Sequence, residues 1–179
     1  MVKLFLSISL CLLLQVIAIP AHGEVHSARA LEIQAAFLVK FSSYVKWPKG
    51  TFSTPESPIV IGIFGRDPFG STIDKIARSY TANGRHVEIR RCHDLASLCT
   101  SHIVFVASAA RVQMKEIMVA LSGRPVLFVG NYPEFLDRGG MINFVMVGKK
   151  IRFDISKTNS DRSGLEISSK LFKVAHAIK

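Results

Sequence analysis

Three uninterrupted apolar runs, each followed by a segment with helical periodicity, constrain the fold of this chain more than any other feature. The runs are Pro58–Phe64, Ile103–Ala107 and Pro125–Val129. A run that is apolar at every position predicts a strand buried on both faces, which is typical of parallel strands covered by helices. The alternation of such strands with helices predicts an α/β fold.

The rest of the chain adds helices and a hairpin. The predicted helices comprise residues 27–46, 71–80, 109–121 and 159–178. His86–Arg90 alternates polar and apolar residues and predicts a more exposed strand. Met141–Val147 and Lys150–Ile155 flank Gly148-Lys149, which suits a type II′ hairpin. We therefore predict a three-layer sandwich with a mixed, centrally parallel sheet and a C-terminal β-hairpin plus helix.

The N-terminus has the pattern of a secretory signal peptide. Lys3 precedes the apolar run Leu4–Ile19, and Ala21 and Gly23 are the small residues that signal peptidase requires. The run is short for a membrane span. We predict that residues 1–23 are removed and that residues 24–179 form a single domain, soluble in the periplasm. The alternative is an uncleaved N-terminal anchor.

Two cysteines, Cys92 and Cys99, remain after the predicted cleavage. An even pair of cysteines in an oxidising compartment favours a disulfide. The alternative is a metal site that combines the two cysteines with His93 and His102, but their spacing matches no common zinc pattern. We therefore predict a Cys92–Cys99 disulfide and no bound metal.

The charge of the chain bears on its partners. The formal net charge is +10, and in an exported protein such a charge favours acidic protein surfaces or anionic lipid headgroups. A basic surface that only serves solubility is the alternative. The aromatic residues do not interleave with lysines and arginines as a nucleic-acid platform requires, so we expect no nucleic-acid partner.

Polar residues follow the predicted parallel strands, where α/β proteins bind their ligands. They are Arg66, Asp67, Ser108, Arg111 and Asn131. Together they form a candidate site for a small anion. The alternative is ordinary turn and cap chemistry, with Asp67 in a turn and Ser108 at a helix N-cap.

No motif in the sequence predicts catalysis. The segment Gly65–Gly70 has the glycine spacing of a phosphate loop but lacks the Lys-Ser/Thr that engages phosphate. Ser169 and Lys170 are adjacent on a predicted helix and therefore point in different directions. We expect a binding protein without enzyme activity or cofactor. Phe144 and Met146, on a strand that is apolar on both faces, are its candidate partner contacts, and the alternative is that both belong to the core.

Five short segments resemble the YfiR-like family in order and spacing. They comprise residues 33–38, 47–48, 67–70, 139–144 and 168–171. The resemblance extends over about residues 28–178. It implies an α/β repressor of the periplasm that inhibits a membrane-bound diguanylate cyclase or a similar sensor. Such a repressor lowers cyclic di-GMP signalling and with it biofilm formation.

The resemblance also implies partners. They are the periplasmic domain of an inner-membrane diguanylate cyclase or sensor, an OmpA-like outer-membrane lipoprotein that sequesters the repressor, and a second copy in a homodimer. Where the family has a cysteine directly before the histidine that opens the central strand, this chain has Ser101. No disulfide is therefore carried over from the family. The alternative functions are a periplasmic small-ligand sensor that uses the strand-end loops and a hydrolase with a triad assembled only in space.

Overall fold

The computed structural model describes residues 22–179, with side chains from Ser27 onward except that of Cys99. The predicted signal peptide lies outside the described residues, apart from the backbone of His22 and Gly23 in the first turn of a helix. Among the described residues, none of the helices combines the length and the hydropathy that a membrane crossing requires.

Helices and strands alternate along the described chain. The helices are α1 (His22–Phe41), α2 (Ser71–Arg78), α3 (Met114–Ala120), α4 (Lys157–Arg162) and α5 (Ser169–Val174). The strands are β1 (Val45–Lys46), β2 (Ile59–Phe64), β3 (Thr81–Ala82), β4 (Arg85–Cys92), β5 (Ile103–Val106), β6 (Leu127–Gly130), β7 (Ile142–Val147), β8 (Lys150–Ile155), β9 (Glu166–Ile167) and β10 (Ala177–Ile178).

Eight of these strands form one mixed sheet in the order β10-β8-β7-β6-β5-β2-β4-β3. The five central strands, β4, β2, β5, β6 and β7 in sheet order, are parallel to one another. At the two ends of this group, β3 pairs with β4 and β8 pairs with β7, both antiparallel. Strands β1 and β9 form a separate antiparallel pair. The predicted mixed, centrally parallel sheet is therefore confirmed.

The crossovers explain the three layers. From β2 the chain passes through α2 to β4, which lies next to β2 toward one edge of the sheet. From β5 it passes through α3 to β6, which lies next to β5 toward the opposite edge. Right-handed crossovers in opposite directions place α2 and α3 on opposite faces of the sheet. Helix α1 contacts both α2 and β8, which puts it on the α2 face. All residues of β2, β5 and β6 are buried between the layers, as their apolar runs predict.

The predicted C-terminal helix over residues 159–178 is wrong. The chain instead forms two short helices, α4 and α5, and two short strands, β9 and β10. Gly164 lies two residues after α4 with a φ of +72°, a left-handed conformation that ends the helix. Ser168 begins the next helix by accepting a hydrogen bond from Lys170 N. Among the apolar residues of this segment, Leu171 is buried, but Val174 and Ile178 are exposed.

Two other predictions differ from the structure in their bounds. Helix α1 extends from His22 to Phe41 in the described residues, and a 3-10 turn follows from Ser42 to Tyr44. Val45 and Lys46, which the prediction includes in the helix, form β1. The helix expected over residues 109–121 starts as a 3-10 helix over Ser108–Gln113 and becomes α-helical only at α3. The hairpin turn is as predicted, with Gly148 at a φ of +59° as the first position of a type II′ turn requires.

Candidate functional site

Helix α1 holds the β7–β8 hairpin through four aromatic rings. Phe41 stacks on Phe144 at 5.7 Å between ring centroids and meets Phe153 edge-on at 5.1 Å. Phe37 meets Phe153 at 5.5 Å. Phe144 and Phe153 lie opposite each other across the hairpin, and Phe37 and Phe41 lie one turn apart on the helix, so each element presents one apolar face to the other. The hairpin is thereby fixed on the helix.

A continuous groove runs between α1 and this hairpin. One cavity of about 720 Å³ is lined by Arg29, Ala30, Ile33, Phe37, Met146, Gly148, Lys149, Lys150, Ile151 and Arg152. A second cavity of about 400 Å³ is lined by Phe37, Lys40, Phe41, Tyr44, Arg152, Phe153, Leu171 and Val174. Because the two cavities share Phe37 and Arg152, they form one surface, which we name the α1 groove.

The α1 groove combines exposed apolar side chains with unbalanced positive charge. Ile33 is 37% exposed, Met146 58% and Val174 62%. Five cations line the groove: Arg29, Lys40, Lys149, Lys150 and Arg152. No aspartate or glutamate belongs to the lining, and none of these five cations makes an ion pair with a described residue. Such a surface suits an apolar segment that carries negative charge.

The far end of the hairpin extends beyond the sheet. Asn143 is the last β7 residue that pairs with β6, and Asp154 is the first β8 residue that pairs with β10. Between them the two strands pair only with each other. From Asn143 to Val147 the strand covers about 14 Å at the usual rise per residue. The turn therefore projects beyond the neighbouring strands β6 and β10, alongside the N-terminal part of α1.

The two predicted partner contacts have different environments. Phe144 is 4% exposed and lies under α1, so it is a core residue in this structure. Met146, two residues nearer the turn, is 58% exposed in the α1 groove. The sequence analysis missed Ile33 and the lining cations. The pair Lys149-Lys150 directly after Gly148, next to a strand that is apolar on both faces, is the signal that points to them.

One residue of the predicted strand-end ligand site is occupied by internal contacts. Asp67 accepts hydrogen bonds from Phe69 N at 2.7 Å and from Arg91 Nε at 3.0 Å. Arg91 also forms a two-pronged pair with Asp74, at 2.8 and 2.7 Å, which lowers the pKa of the Asp74 carboxyl. Asp67 thus helps to bind the end of β4 to α2.

The remaining strand-end residues line none of the four cavities described among residues 22–179. Arg66, Ser108 and Arg111 are exposed, whereas the Oδ1 atom of Asn131 is buried without a hydrogen-bond partner. The hypothesis of a small-anion site formed by these residues stays a prediction.

Cys92 is buried at the end of β4, and its thiol forms no disulfide with any cysteine side chain that the structure describes. Its Sγ donates to the carbonyl oxygen of Ser97 at 3.5 Å and lies 3.8 Å from that of Arg90. The thiol therefore faces the 3-10 helix Ala96–Thr100, in which Cys99 lies. Because the side chain of Cys99 is outside the described residues, the Cys92–Cys99 disulfide stays a prediction.

His102 occupies an aromatic cluster that the sequence analysis did not find. Its Nδ1 accepts a hydrogen bond from Val60 N at 3.0 Å, and its ring stacks on Phe52 at 4.6 Å. Arg85 covers the other face of Phe52. Desolvation by burial, followed by the charges of Arg124 and Arg85, lowers the pKa of His102 to about 4. The ring is therefore neutral at physiological pH. It lies at the end of the sheet where β2 and β5 begin.

The described side chains bear on the alternatives of a metal site and a hydrolase. No cluster of three or more His, Cys, Asp or Glu residues suits a metal ion there. The two described histidine rings that form hydrogen bonds do so with Val60 N and with Asp154, not with a hydroxyl or thiol. The alternative of a hydrolase stays a hypothesis.

Comparison with solved structures identifies relatives in fold. A conserved domain protein from Vibrio cholerae aligns with a TM-score of 0.53 and 13% sequence identity over 83% of this chain. The ABC domain from Streptococcus pneumoniae, solved in complex with L-Trp, aligns with a TM-score of 0.55 and 11% identity over 81% of this chain. This chain spans 60% of the length of each. At these identities the similarity concerns the fold.

Comparison of sequences gives the more specific result. No curated protein sequence matches this chain significantly. The profile of the YfiR/HmsC-like family matches residues 31–176. This range contains every strand of the described structure except β10, and both walls of the α1 groove apart from Arg29 and Ala30. The chain therefore belongs to the YfiR/HmsC-like family.

Proposed function

We propose that this chain is an exported regulatory protein that binds the periplasmic part of an inner-membrane diguanylate cyclase, or of a comparable membrane sensor, and holds it inactive. Membership of the YfiR/HmsC-like family supports a regulatory rather than a catalytic role. The signal-peptide pattern of residues 1–23 supports export, with residues 24–179 as a single periplasmic domain.

The observation that carries the proposal is the α1 groove. It extends along α1 and the following 3-10 turn from Arg29 to Tyr44, which is about 24 Å at the rise per residue of the two helix types. Three of its apolar side chains are exposed, and five cations without carboxylate partners surround them. This length and chemistry suit an acidic, amphipathic segment of the partner, whose apolar face fills the groove while its carboxylates meet the cations.

A binding measurement with matched variants tests the proposal. Ile33→Glu places a negative charge in the groove, and Val119→Glu places the same charge at an exposed valine of α3, outside the groove. We expect Ile33→Glu to weaken binding to the periplasmic part of the cognate cyclase at least about tenfold, and Val119→Glu to change it less than about twofold. Equal binding of both variants and the wild type contradicts the groove as the binding surface.

The other partners implied by the family belong to the same proposal. An OmpA-like outer-membrane lipoprotein competes with the cyclase for the regulator, and a homodimer is its working form. Size-exclusion chromatography with light scattering tests the homodimer, and a monomeric mass at cellular concentration contradicts it. Competition by the lipoprotein in the binding measurement above tests the sequestration.

A further inference from the structure

We propose that the hairpin tip, defined as Met146–Lys150, docks on an anionic lipid surface. The proposal does not depend on the proposed cyclase partner, because it rests on the shape and chemistry of this segment alone. Its starting point is the projection of the β7–β8 hairpin beyond the neighbouring strands β6 and β10. A projecting turn can reach a flat surface that the rest of the molecule does not touch.

The apolar part of the tip is exposed at its outermost residues. Burial along β7 decreases toward the turn, from fully buried Ile142 to Met146 at 58% and Val147 at 40% exposed. These two side chains point to opposite faces of the hairpin, since they are adjacent on one strand. Large apolar side chains on both faces of a projecting turn are suited to entering the boundary between headgroups and acyl chains.

Cations surround the apolar residues. Lys149 and Lys150 complete the turn, Arg152 follows on β8, and Arg29 lies across the cavity on α1. All four are exposed, and no described carboxylate forms an ion pair with any of them. Lysine and arginine beside inserted apolar residues interact with lipid phosphates while their aliphatic stems remain against the apolar region.

The edge of β8 argues against a strand-pairing partner at the same place. Beyond Asp154 toward the turn, no strand in the part of the chain that the structure describes pairs with the outer side of β8. There the guanidinium of Arg152 donates a hydrogen bond to the carbonyl oxygen of Ile151 at 3.0 Å. Lys150 and Arg152 place charges along this edge, which is how proteins prevent added strands. A lipid surface needs no pairing with the backbone and benefits from the same charges.

Vesicle co-sedimentation of the exported chain tests the proposal. One set of vesicles contains phosphatidylglycerol and phosphatidylcholine in roughly equal parts, and the other contains phosphatidylcholine alone. We expect binding to the anionic vesicles only. The double variant Lys149→Glu/Lys150→Glu should lower the partition coefficient at least about tenfold. The matched control Lys75→Glu/Arg78→Glu, which changes the net charge equally on exposed residues of α2, should lower it less than about threefold.

The apolar contribution is tested separately. Met146→Ser/Val147→Ser should weaken binding at high salt, where screening reduces the ionic part, whereas Val112→Ser/Val119→Ser should not. In addition, Met146→Trp should show a blue shift of its tryptophan emission on anionic vesicles. The proposal would be overturned if Lys149→Glu/Lys150→Glu and Lys75→Glu/Arg78→Glu lowered vesicle binding equally. It would also be overturned if the wild type did not bind the anionic vesicles. Loss of cyclase binding by the tip variants with unchanged vesicle binding would also overturn it and would identify a protein interface.

Discussion

Phe41 stacks on Phe144 with a distance of 5.7 Å between the ring centroids, and both side chains are buried. This contact fixes the β7–β8 hairpin to α1, and Phe41 also lines the α1 groove. Two residues along the same strand, Met146 is exposed. The hairpin is therefore a core element at one end and a surface element at the other.

The first prediction concerns the aromatic contacts of Phe41. Phe41→Ala removes a fully buried ring that contacts Phe37, Phe144 and Phe153. We expect the free energy of unfolding to fall by about 3–5 kcal/mol. Val112→Ala, at a side chain that is 75% exposed, should change it by less than about 0.5 kcal/mol. Urea denaturation measures both, and a similar effect of the two variants contradicts the role of Phe41.

The second prediction concerns the pH dependence of stability. Since the pKa of His102 is lowered from 6.5 to about 4 in the folded state, the unfolded chain binds a proton more readily between these values. This histidine's contribution to stability is therefore present above pH 6.5 and is lost as the pH falls toward 4. The two pKa values set an upper limit of about 3 kcal/mol, which solvent screening of the half-buried ring reduces to about 1–2 kcal/mol.

His102→Asn isolates this effect, since an amide oxygen replaces Nδ1 as the acceptor for Val60 N without titrating. The difference in unfolding free energy between pH 7 and pH 4.5 should be smaller in His102→Asn than in the wild type. His86→Asn, at an exposed histidine, is the matched control and should keep the slope of the wild type. An unchanged slope in His102→Asn would show that other groups carry the pH dependence.

The third prediction concerns Ser101, which lies two residues before β5. Its side chain is 1% exposed, and its Oγ has no hydrogen-bond partner among the described side chains and backbone. Ser101→Ala removes this unsatisfied hydroxyl, so we expect a gain of up to about 1 kcal/mol in unfolding free energy. Ser160→Ala, at a buried serine that donates to Ser156 O at 2.7 Å, should cost about 1 kcal/mol instead. A loss of stability in Ser101→Ala would contradict this account of the site.

The fourth prediction concerns the cysteines. In the exported protein we expect Cys92 and Cys99 to form a disulfide, because the Cys92 thiol already faces the turn that contains Cys99. A loop this short should add about 2 kcal/mol at most. Thiol titration of the denatured, non-reduced protein should find no free thiol. Two reactive thiols in protein purified from the periplasm would exclude the bridge.

The parts of the fold that are periodic over many residues could be predicted from the sequence. Strands β2, β5 and β6 follow from uninterrupted apolar runs, because only a doubly covered strand buries every side chain. The C-terminal segment could not be predicted, since its apolar spacing fits one long helix. Gly164 and the N-cap at Ser168 override that spacing, and both act through single local contacts rather than through periodicity.

The candidate site could be predicted only in part. Met146 was found because its strand is apolar on both faces, but the same pattern also contains Phe144, which is buried. Ile33 lies on α1, whose residues Ala35, Leu38 and Val39 are buried, but its own side chain is 37% exposed beside the hairpin. The α1 groove depends on how two elements more than 100 residues apart are packed, and no local pattern encodes this.

The central claim is that this chain restrains a membrane diguanylate cyclase, and the most direct test is the cellular concentration of cyclic di-GMP. It should rise several-fold in a strain that lacks the gene but retains the cognate cyclase, and it should return to the original level with the wild type or Val119→Glu. In the deletion strain complemented with Ile33→Glu, the cyclic di-GMP concentration should remain raised. An unchanged concentration in the deletion strain, with an active cyclase present, would contradict the account.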